Sequence, residues 1–345
     1  MSQIDIIKQL AINGLENDQE QLKETLRNLI DYSRKTRKTN FALQLQSILQ
    51  DGIRRQNLGG LTTVGSKRYF NTIEEKEIED LVLEKLTSDY TMNNLICSEE
   101  VRNNLNYFLK EQNSAKMLNE LDLPISNKML LYGPSGCGKT LTSYVIAGEL
   151  KRMMYVVNLG AIVSSKLGET SKNLSKLFRR AAEENCIIFL DEFDSIGKVR
   201  DYDQDHGEMK RVVNTLLQLF DFLPKETIVI AATNQIQMID DALKRRFDLT
   251  LELDAPNLTE IKALIKLTPD KANVKFDDQK KFNAVEKKCI GLSYYVIQHT
   301  LLTALKRSLL DLDVNIAPKD FCINTSIWES LINKEKEDIE KQSHF

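Results

Sequence analysis

Apolar side chains near the start of the chain recur at helical spacing. Leu15, Leu22, Leu26 and Leu29 follow one another at intervals of seven, four and three residues, and Ile30 continues the stripe. A second apolar stripe follows in "FALQLQSIL", so residues 1–56 are expected to form a helical N-terminal region, most simply a hairpin. The basic stretch "SRKTRKTN" between the stripes is either a solvated turn or a contact for nucleic acid or an acidic partner.

The helical periodicity weakens in the next segment. The stretch "QNLGGLTTVGSKRYF" is rich in glycine and hydroxyl residues and predicts a linker. The acidic stretch "TIEEKEIEDLVLEKL" that follows predicts a helix. Residues 57–90 are therefore expected to be a linker and a helix that lead into the next module.

Three short apolar runs further along the chain predict strands. They are "MLLY", "IIFL" and "TIVIAAT". In open α/β sheets, ligands bind beyond the carboxyl ends of the strands. The residues that follow these runs are therefore the first place to look for a functional site.

Composition and charge limit what the protein is expected to do. The chain has 345 residues, of which 42% are hydrophobic and 28% are charged, so two or three folded modules are expected. A net charge of -3 gives no overall attraction to nucleic acid or to an anionic membrane. No apolar run approaches the roughly 20 residues of a membrane span, and no signal peptide is evident, so we expect a cytoplasmic protein. The five cysteines include no CxxC pair, which favours free thiols over disulfides or a zinc site.

The first apolar run leads into a glycine-rich phosphate-binding motif. The pattern GxxxxGK[ST] lies between a predicted strand and a predicted helix, which is the context that a P-loop requires. Its backbone N–H groups and the helix N-terminus favour the phosphates of ATP; Lys139 would neutralise β- and γ-phosphate oxygens, and the Thr140 hydroxyl would bind Mg²⁺. The residues expected to contact the nucleotide here are Gly133, Pro134, Ser135, Gly136, Cys137, Gly138, Lys139, Thr140 and Leu141. Cys137 is either a spacer or a thiol whose pKa is lowered by the helix start.

Polar residues at the ends of the other two runs complete a hydrolytic site. Asp191 and Glu192 follow "IIFL"; Asp191 would hold Mg²⁺ through water, and Glu192 would act as general base on the attacking water. Asn234 follows the third run and would orient water or contact the γ-phosphate, or else cap a turn. Arg245 and Arg246 stand directly before Phe247 and a further strand, which would fix their guanidinium groups on a rigid edge.

These motifs, in this order, resemble the AAA+ ATPases and within them the classical AAA clade. The stretches "GPSGCGKT", "IIFLDEFD", "IVIAATN" and "DDALKRRFD" match the clade's Walker A, Walker B, sensor 1 and arginine-finger regions. The resemblance implies an αβα sandwich with a five-stranded parallel sheet over residues 91–255, followed by a helical lid within residues 256–345. The charged end of the chain, "NKEKEDIEKQSHF", is expected to fray. It also implies a homo-oligomeric, hexameric ring in which Arg245 and Arg246 act on the ATP of a neighbouring subunit. Ile96 matches the residue that packs on adenine, although a plain core role fits it nearly as well.

A finer resemblance concerns the biological role. "SEEVRNNLNYFL", "KLGETSKNL" and "LDEFDSIG" look like a group of bacterial AAA ATPases often encoded beside a subtilisin-like serine protease and linked to plasmid exclusion or phage defence. This chain has no Ser-His-Asp motif, so a protease partner would be a separate chain. In such rings the loop Ser164–Glu169 faces the central pore. Lys166 would stand there in place of the usual aromatic residue, followed by Leu167 and Gly168. The alternative is a solvated loop in which Gly168 only allows the turn.

Two functions remain open from the sequence. The first is a ring-forming ATPase that remodels or unfolds a protein, and the second is an ATP-driven switch that assembles on nucleic acid through "SRKTRKTN". The near-neutral charge favours the first. A scaffold without catalysis is disfavoured because every hydrolytic motif is present.

Overall fold

The computed structural model describes residues 3–15, 19–36, 38–58, 82–157, 159, 169–196, 206–268, 275–310 and 322–343. Its N-terminal part is helical, as predicted, but contains three helices instead of one hairpin. They are α1 (Gln3–Leu15), α2 (Gln19–Lys35) and α3 (Thr39–Leu58). Ile30, Ala42 and Leu49 form a small buried cluster between α2 and α3. The side-chain amide of Asn40 donates hydrogen bonds to the Ser88 carbonyl and to Asp89, which joins α3 to the following segment.

A six-stranded sheet forms the centre of the molecule, with the order β1-β3-β4-β5-β2-β6. The strands are β1 (Val82–Leu86), β2 (Lys128–Tyr132), β3 (Met154–Val157), β4 (Ile187–Leu190), β5 (Ile228–Thr233) and β6 (Leu249–Glu252). Strands β2 to β6 are parallel, which confirms the predicted five-stranded parallel core.

The sixth strand, β1, corrects the sequence prediction. The end of "TIEEKEIEDLVLEKL" was expected to be helical, but Val82–Leu86 pairs antiparallel with β3 at the sheet edge. Tertiary pairing overrides the local preference here, because a strand's fit to its neighbour decides its conformation. Glu84 and Lys85 lie on this edge strand, and charged edge residues discourage pairing with other chains. The sheet thus includes a strand that precedes Thr91, where the large module was expected to begin.

Helices cover both faces of the sheet because its strands carry apolar side chains on both sides. The surrounding helices are α4 (Glu99–Asn113), α5 (Ala115–Glu120), α6 (Lys139–Leu150), α7 (Glu169–Glu183), α8 (His206–Asp221) and α9 (Asp241–Lys244). Ile188 and Leu190 pack in a cluster with residues of α7 and α8, whereas Ile187 and Phe189 pack with residues of α4 and α6. None of the helices in the described ranges combines the length and the apolar character needed to cross a membrane.

A smaller helical subdomain follows the sheet. It contains α10 (Leu258–Leu267), β7 (Lys275–Phe276), α11 (Gln279–Lys288), α12 (Tyr294–Leu310), β8 (Cys322–Ile323) and α13 (Thr325–Ser343). The tail expected to fray is instead helical as far as Ser343. Trp328 and Ile332 in the first half of α13 are fully buried in this subdomain, which anchors the charged second half.

Candidate functional site

The P-loop (Gly133–Thr140) connects the end of β2 to the start of α6. Gly133, Gly136 and Gly138 have φ angles of +141°, +76° and +91°, which side chains rarely adopt. A Cβ atom on Gly133 would lie 2.1 Å from the carbonyl oxygen of Leu253. Glycine is therefore needed here both for the backbone angle and for the close approach of the neighbouring strand end. The loop leaves the backbone at the N-terminus of α6 arranged for an anion.

Lys139 is held inside the P-loop. Its side chain folds back so that Nζ donates to the carbonyl oxygens of Gly133 at 2.7 Å and Pro134 at 2.8 Å. Only 8% of the residue is exposed, and burial lowers the pKa of its ammonium group. Carbonyl oxygens carry partial charge only, so a phosphate entering the loop would compete strongly for this cation.

Thr140 and Asp191, the two residues predicted to hold Mg²⁺, lie in hydrogen-bonding contact beyond the carboxyl ends of β2 and β4. The Thr140 hydroxyl donates to Asp191 Oδ2 at 3.2 Å, although the two residues belong to different strand–helix units. Asp191 Oδ1 accepts a hydrogen bond from the Glu192 backbone N–H at 2.9 Å. A hydroxyl and one carboxylate are the oxygen donors that Mg²⁺ takes from protein while keeping water and substrate phosphates as its other ligands. The donor set therefore fits a magnesium ion.

Glu192 is exposed at this same edge and has an unusual backbone. Its φ angle is +50°, a left-handed conformation that costs a non-glycine residue on the order of 1–3 kcal/mol. The backbone is held in this shape by the hydrogen bond to Asp191 and by a 2.8 Å bond from the Ser195 N–H to the Glu192 carbonyl. The strain is stored next to the P-loop, where it places a carboxylate in solvent beside the predicted phosphate position.

Asn234 lies at the end of β5, on the same edge of the sheet. Its side chain is exposed, and within the described residues its amide has no hydrogen-bond partner. The preceding Thr233 is buried, and its hydroxyl donates to Asp194 Oδ1 at 3.0 Å. Asn234 therefore presents an amide outward from a fixed strand end. The alternative of a turn cap fits less well, because the described structure shows no such bond.

The arginine edge (Asp221, Arg245 and Arg246) lies at the other end of the sheet. Arg246 Nε and Nη2 donate to the Asp221 carboxylate at 3.1 and 3.3 Å, and Arg245 is exposed. The Asp248 N–H, two residues on, bonds to the Lys128 carbonyl at the start of β2. The P-loop begins after the end of β2, so the structure does not bring the arginines to the P-loop of their own chain.

A cleft opens beside the P-loop, between the sheet and the helical subdomain. It has a volume of about 280 Å³, and its lining includes Ile96, Cys137 and Tyr294. Ile96 also packs against the helical subdomain, so both readings of this residue, cleft contact and core, have a basis in the structure. The Tyr295 N–H donates to the Gly136 carbonyl at 3.1 Å, which ties the start of α12 to the P-loop.

Cys137 does not have the properties of an activated thiol. The residue is 3% exposed, and burial raises the pKa of its thiol even though Lys139 opposes the change. The spacer interpretation from the sequence is favoured, and the idea of a lowered pKa at the helix start is wrong for this residue. Desolvation outweighs the attraction of the Lys139 cation because burial penalises a thiolate.

Known proteins are similar in sequence to this chain. The family described as "ATPase family associated with various cellular activities (AAA)" matches residues 129–255. An uncharacterized AAA family ATPase of Sinorhizobium fredii is 31% identical over 314 residues, which is 91% of this chain and 91% of that protein. This chain belongs to the AAA family of ATPases.

Two relatives that match a smaller part of the chain support the same family assignment. A putative 26S proteasome regulatory subunit homolog of Methanocaldococcus jannaschii is 33% identical over 190 residues, or 52% of this chain and 50% of that protein. A putative cell division cycle ATPase of Plasmodium falciparum is 39% identical over 168 residues, or 47% of this chain and 13% of that protein. The predicted P-loop NTPase fold and ATPase activity are thereby confirmed. The roles of individual residues stay predictions.

Some predicted residues of this AAA ATPase cannot be compared with the structure. Lys166, Leu167 and Gly168, expected in a pore loop, lie outside the described residues. Conversely, the sequence did not indicate Asp194, Thr233 or Asp221. Thr233 bonds to Asp194 beside the P-loop, and Asp221 pairs with Arg246 in the arginine edge. Asp194 had a usable signal, since it stands in "LDEFD" two residues after Glu192. Thr233 and Asp221 had none, because their partners are distant in sequence.

Proposed function

We propose that this AAA ATPase hydrolyses Mg²⁺-ATP as a homo-oligomeric, hexameric ring and uses the energy to remodel or unfold a protein substrate. The observation that carries the proposal is the separation of the arginine edge from the P-loop within one chain. The five residues of β2 separate the amino ends of the strands, where the arginine edge lies, from the carboxyl ends, where the P-loop begins, by about 13 Å. Arg245 and Arg246 can therefore serve a phosphate only on a neighbouring copy.

Each residue of the site has a defined task in this proposal. Lys139 leaves the loop carbonyls to bind β- and γ-phosphate oxygens, and Thr140 and Asp191 would hold Mg²⁺, which neutralises charge on the phosphates when bound. Glu192 accepts the proton of the attacking water, and Asn234 orients that water against the γ-phosphate.

The arginine edge supplies the remaining positive charge from the next subunit. The Arg245 guanidinium is exposed and available to a neighbour, and Arg246 is held at the surface by Asp221. An arginine finger in trans contributes roughly 10³ to 10⁵ in rate. Hydrolysis in one subunit would then depend on contact with its neighbour, so the nucleotide state of one subunit could affect the next.

A protein is the favoured substrate. The near-neutral chain offers little to a polyanion, and one relative is named as a putative 26S proteasome regulatory subunit homolog. Arg34, the first basic residue of "SRKTRKTN", donates to Gln46 on the neighbouring helix and is thus partly engaged within the chain. By the finer sequence resemblance, the partner would be a separate subtilisin-like serine protease in bacterial defence. Lys166 would contact the substrate from the pore loop.

Trapping the ATP-bound state in cells tests the proposal. Glu192→Gln should bind ATP and assemble but lose turnover, so bound partners should accumulate and co-purify. Glu183→Gln, an exposed carboxylate at the end of α7, is the matched control. Recovery of a protein substrate or a protease with Glu192→Gln alone supports the proposal. Recovery of nucleic acid released by salt would favour the nucleic-acid switch instead, and normal turnover in Glu192→Gln would contradict the assigned chemistry.

A further inference from the structure

We propose that Asp194 is a positioning residue that orients both Glu192 and Asn234 through a buried hydrogen bond to Thr233. The inference rests on the proposed function of Glu192 and Asn234. It concerns two residues that touch neither phosphate nor metal in that proposal. Their effect would come from fixing the two strand ends that carry the catalytic side chains.

The contact is buried and joins two neighbouring strands. Asp194 lies in the short 3₁₀ turn Phe193–Ile196 that follows β4, and Thr233 is the last residue of β5. They are 5% and 1% exposed, and the Thr233 hydroxyl donates to Asp194 Oδ1 at 3.0 Å. The same hydroxyl oxygen accepts the backbone N–H of Gln235 at 3.0 Å. A continuous chain of hydrogen bonds therefore runs from Gln235 through Thr233 to Asp194.

One of these hydrogen bonds spans Asn234. Asn234 is the residue between Thr233 and Gln235, so the bond across it closes a tight turn and fixes its backbone. Its amide is then presented at the sheet edge without any side-chain bond of its own within the described residues. Losing the Thr233 hydroxyl would free this turn and let Asn234 move relative to the strand.

Asp194, at the other end of this series of hydrogen bonds, lies close to Glu192 in the chain. Asp194 is two residues from Glu192, within the turn closed by the bond from the Ser195 N–H to the Glu192 carbonyl at 2.8 Å. Glu192, the first residue of this turn, has a left-handed backbone with φ +50°. Anchoring Asp194 to β5 therefore helps to hold a strained residue and sets the base at a fixed distance from Asn234.

A purely structural role would look different. A buried carboxylate is costly unless it is hydrogen-bonded, and an apolar residue fills the same space without that cost. Here the carboxylate lies at the functional edge and also opposes the lowering of the Lys139 pKa by burial. Its hydrogen bond to Thr233 thus links the turn that carries the general base to the turn that carries the water-orienting amide, and its charge acts on the phosphate-binding lysine.

Substitutions at Thr233 separate positioning from folding in the full-length ATPase. Thr233→Val keeps the shape and removes the hydroxyl, and we expect kcat to fall by about 10- to 100-fold, as misplaced catalytic groups do. KM and the Kd for a fluorescent ATP analogue should change less than about twofold, because the contacts to phosphate are kept. Thr233→Ser restores the hydroxyl and should recover most of kcat. Asp194→Leu, which removes the acceptor and fills similar space, should lower kcat similarly, and the double variant Asp194→Leu/Thr233→Val should be no worse than the poorer single variant.

A second buried threonine provides the matched control. Thr227 is 1% exposed just before β5, at the opposite edge of the sheet, and its hydroxyl has no hydrogen-bond partner among the described residues. Thr227→Val should leave kcat unchanged. Wild-type kcat in Thr233→Val, or a loss of nucleotide affinity as large as the loss of kcat, would overturn the inference. If Thr233→Val keeps kcat while Glu192→Gln is inactive, the positioning role alone fails; an active Glu192→Gln would count against the proposed function itself.

Discussion

The P-loop and the arginine edge contrast sharply in how far a single chain completes them. In the P-loop, Lys139 is buried on two backbone carbonyls, and Thr140 is already bonded to Asp191 from another strand. At the arginine edge, Arg245 is exposed, and Arg246 has a surface ion pair with Asp221 as its charged partner. Folding alone brings the P-loop contacts together, whereas under the proposed function the arginine edge would act only on a neighbouring subunit.

The contrast has a physical basis in burial. Lys139 is 8% exposed and donates to two carbonyl oxygens of the loop, so its ammonium group already lies inside the P-loop before a ligand arrives. The Arg246 side chain is 36% exposed and that of Asp221 49%, and such solvated pairs are weak and screened by salt. Arg246 can therefore leave Asp221 for a phosphate at little cost. The buried phosphate-binding group thus lies at the carboxyl ends of the strands, and the arginine that can exchange its partner lies at their amino ends.

Loss of the arginine should have the largest effect on turnover. Arg246→Ala should lower kcat by roughly 10³-fold or more while leaving nucleotide affinity nearly unchanged, because the group acts on the transition state of a neighbour. ATPase assays and nucleotide titration of the purified variant measure the two quantities. Arg307→Ala, a basic residue in the last turn of α12, is the control.

Mixing subunits tests whether that effect crosses the boundary. Arg246→Ala subunits keep an intact P-loop, and Lys139→Ala subunits keep an intact arginine edge. A mixture should regain measurable ATPase activity that neither variant has alone. Assembly of the mixed complex without any recovered activity would show that the arginine does not act in trans.

Loss of the lysine should affect binding first. Lys139→Ala removes the one side-chain cation that the structure places within the P-loop residues, so kcat/KM should fall by about 100-fold or more. Unlike Arg246→Ala, it should also raise the Kd for ATP, which isothermal titration can measure. Lys306→Ala, an exposed lysine on α12, should behave as wild type. An unchanged Kd would mean that the buried lysine is not a phosphate ligand.

The same contrast explains what the sequence could reveal. The P-loop and the Asp191–Glu192 pair follow fixed local spacings, so their residues were predictable, and the five parallel strands followed from the family resemblance of these motifs. The β1 strand was missed because its partner β3 is about 70 residues away, and the helical tail because Trp328 packs on helices earlier in the subdomain. The Thr233–Asp194 and Arg246–Asp221 contacts form only when strand order brings distant residues together. Motifs with fixed local spacing can be predicted from a sequence, whereas contacts that depend on strand order cannot.

The smallest expected effect concerns the ion pair that holds Arg246 within its own chain. Asp221→Asn removes the charge but keeps the shape, so Arg246 becomes easier to recruit to a neighbouring active site. The protein concentration that gives half-maximal specific ATPase activity should therefore fall by about two- to threefold, with kcat at saturation unchanged. The difference from wild type should shrink at high salt, because the lost pair is screened there anyway. Asp241→Asn breaks a comparable surface pair with Lys244, 3.0 Å long and one helix turn away, and should have no such effect. A higher half-maximal concentration in Asp221→Asn would instead mean that Asp221 supports the contact between subunits.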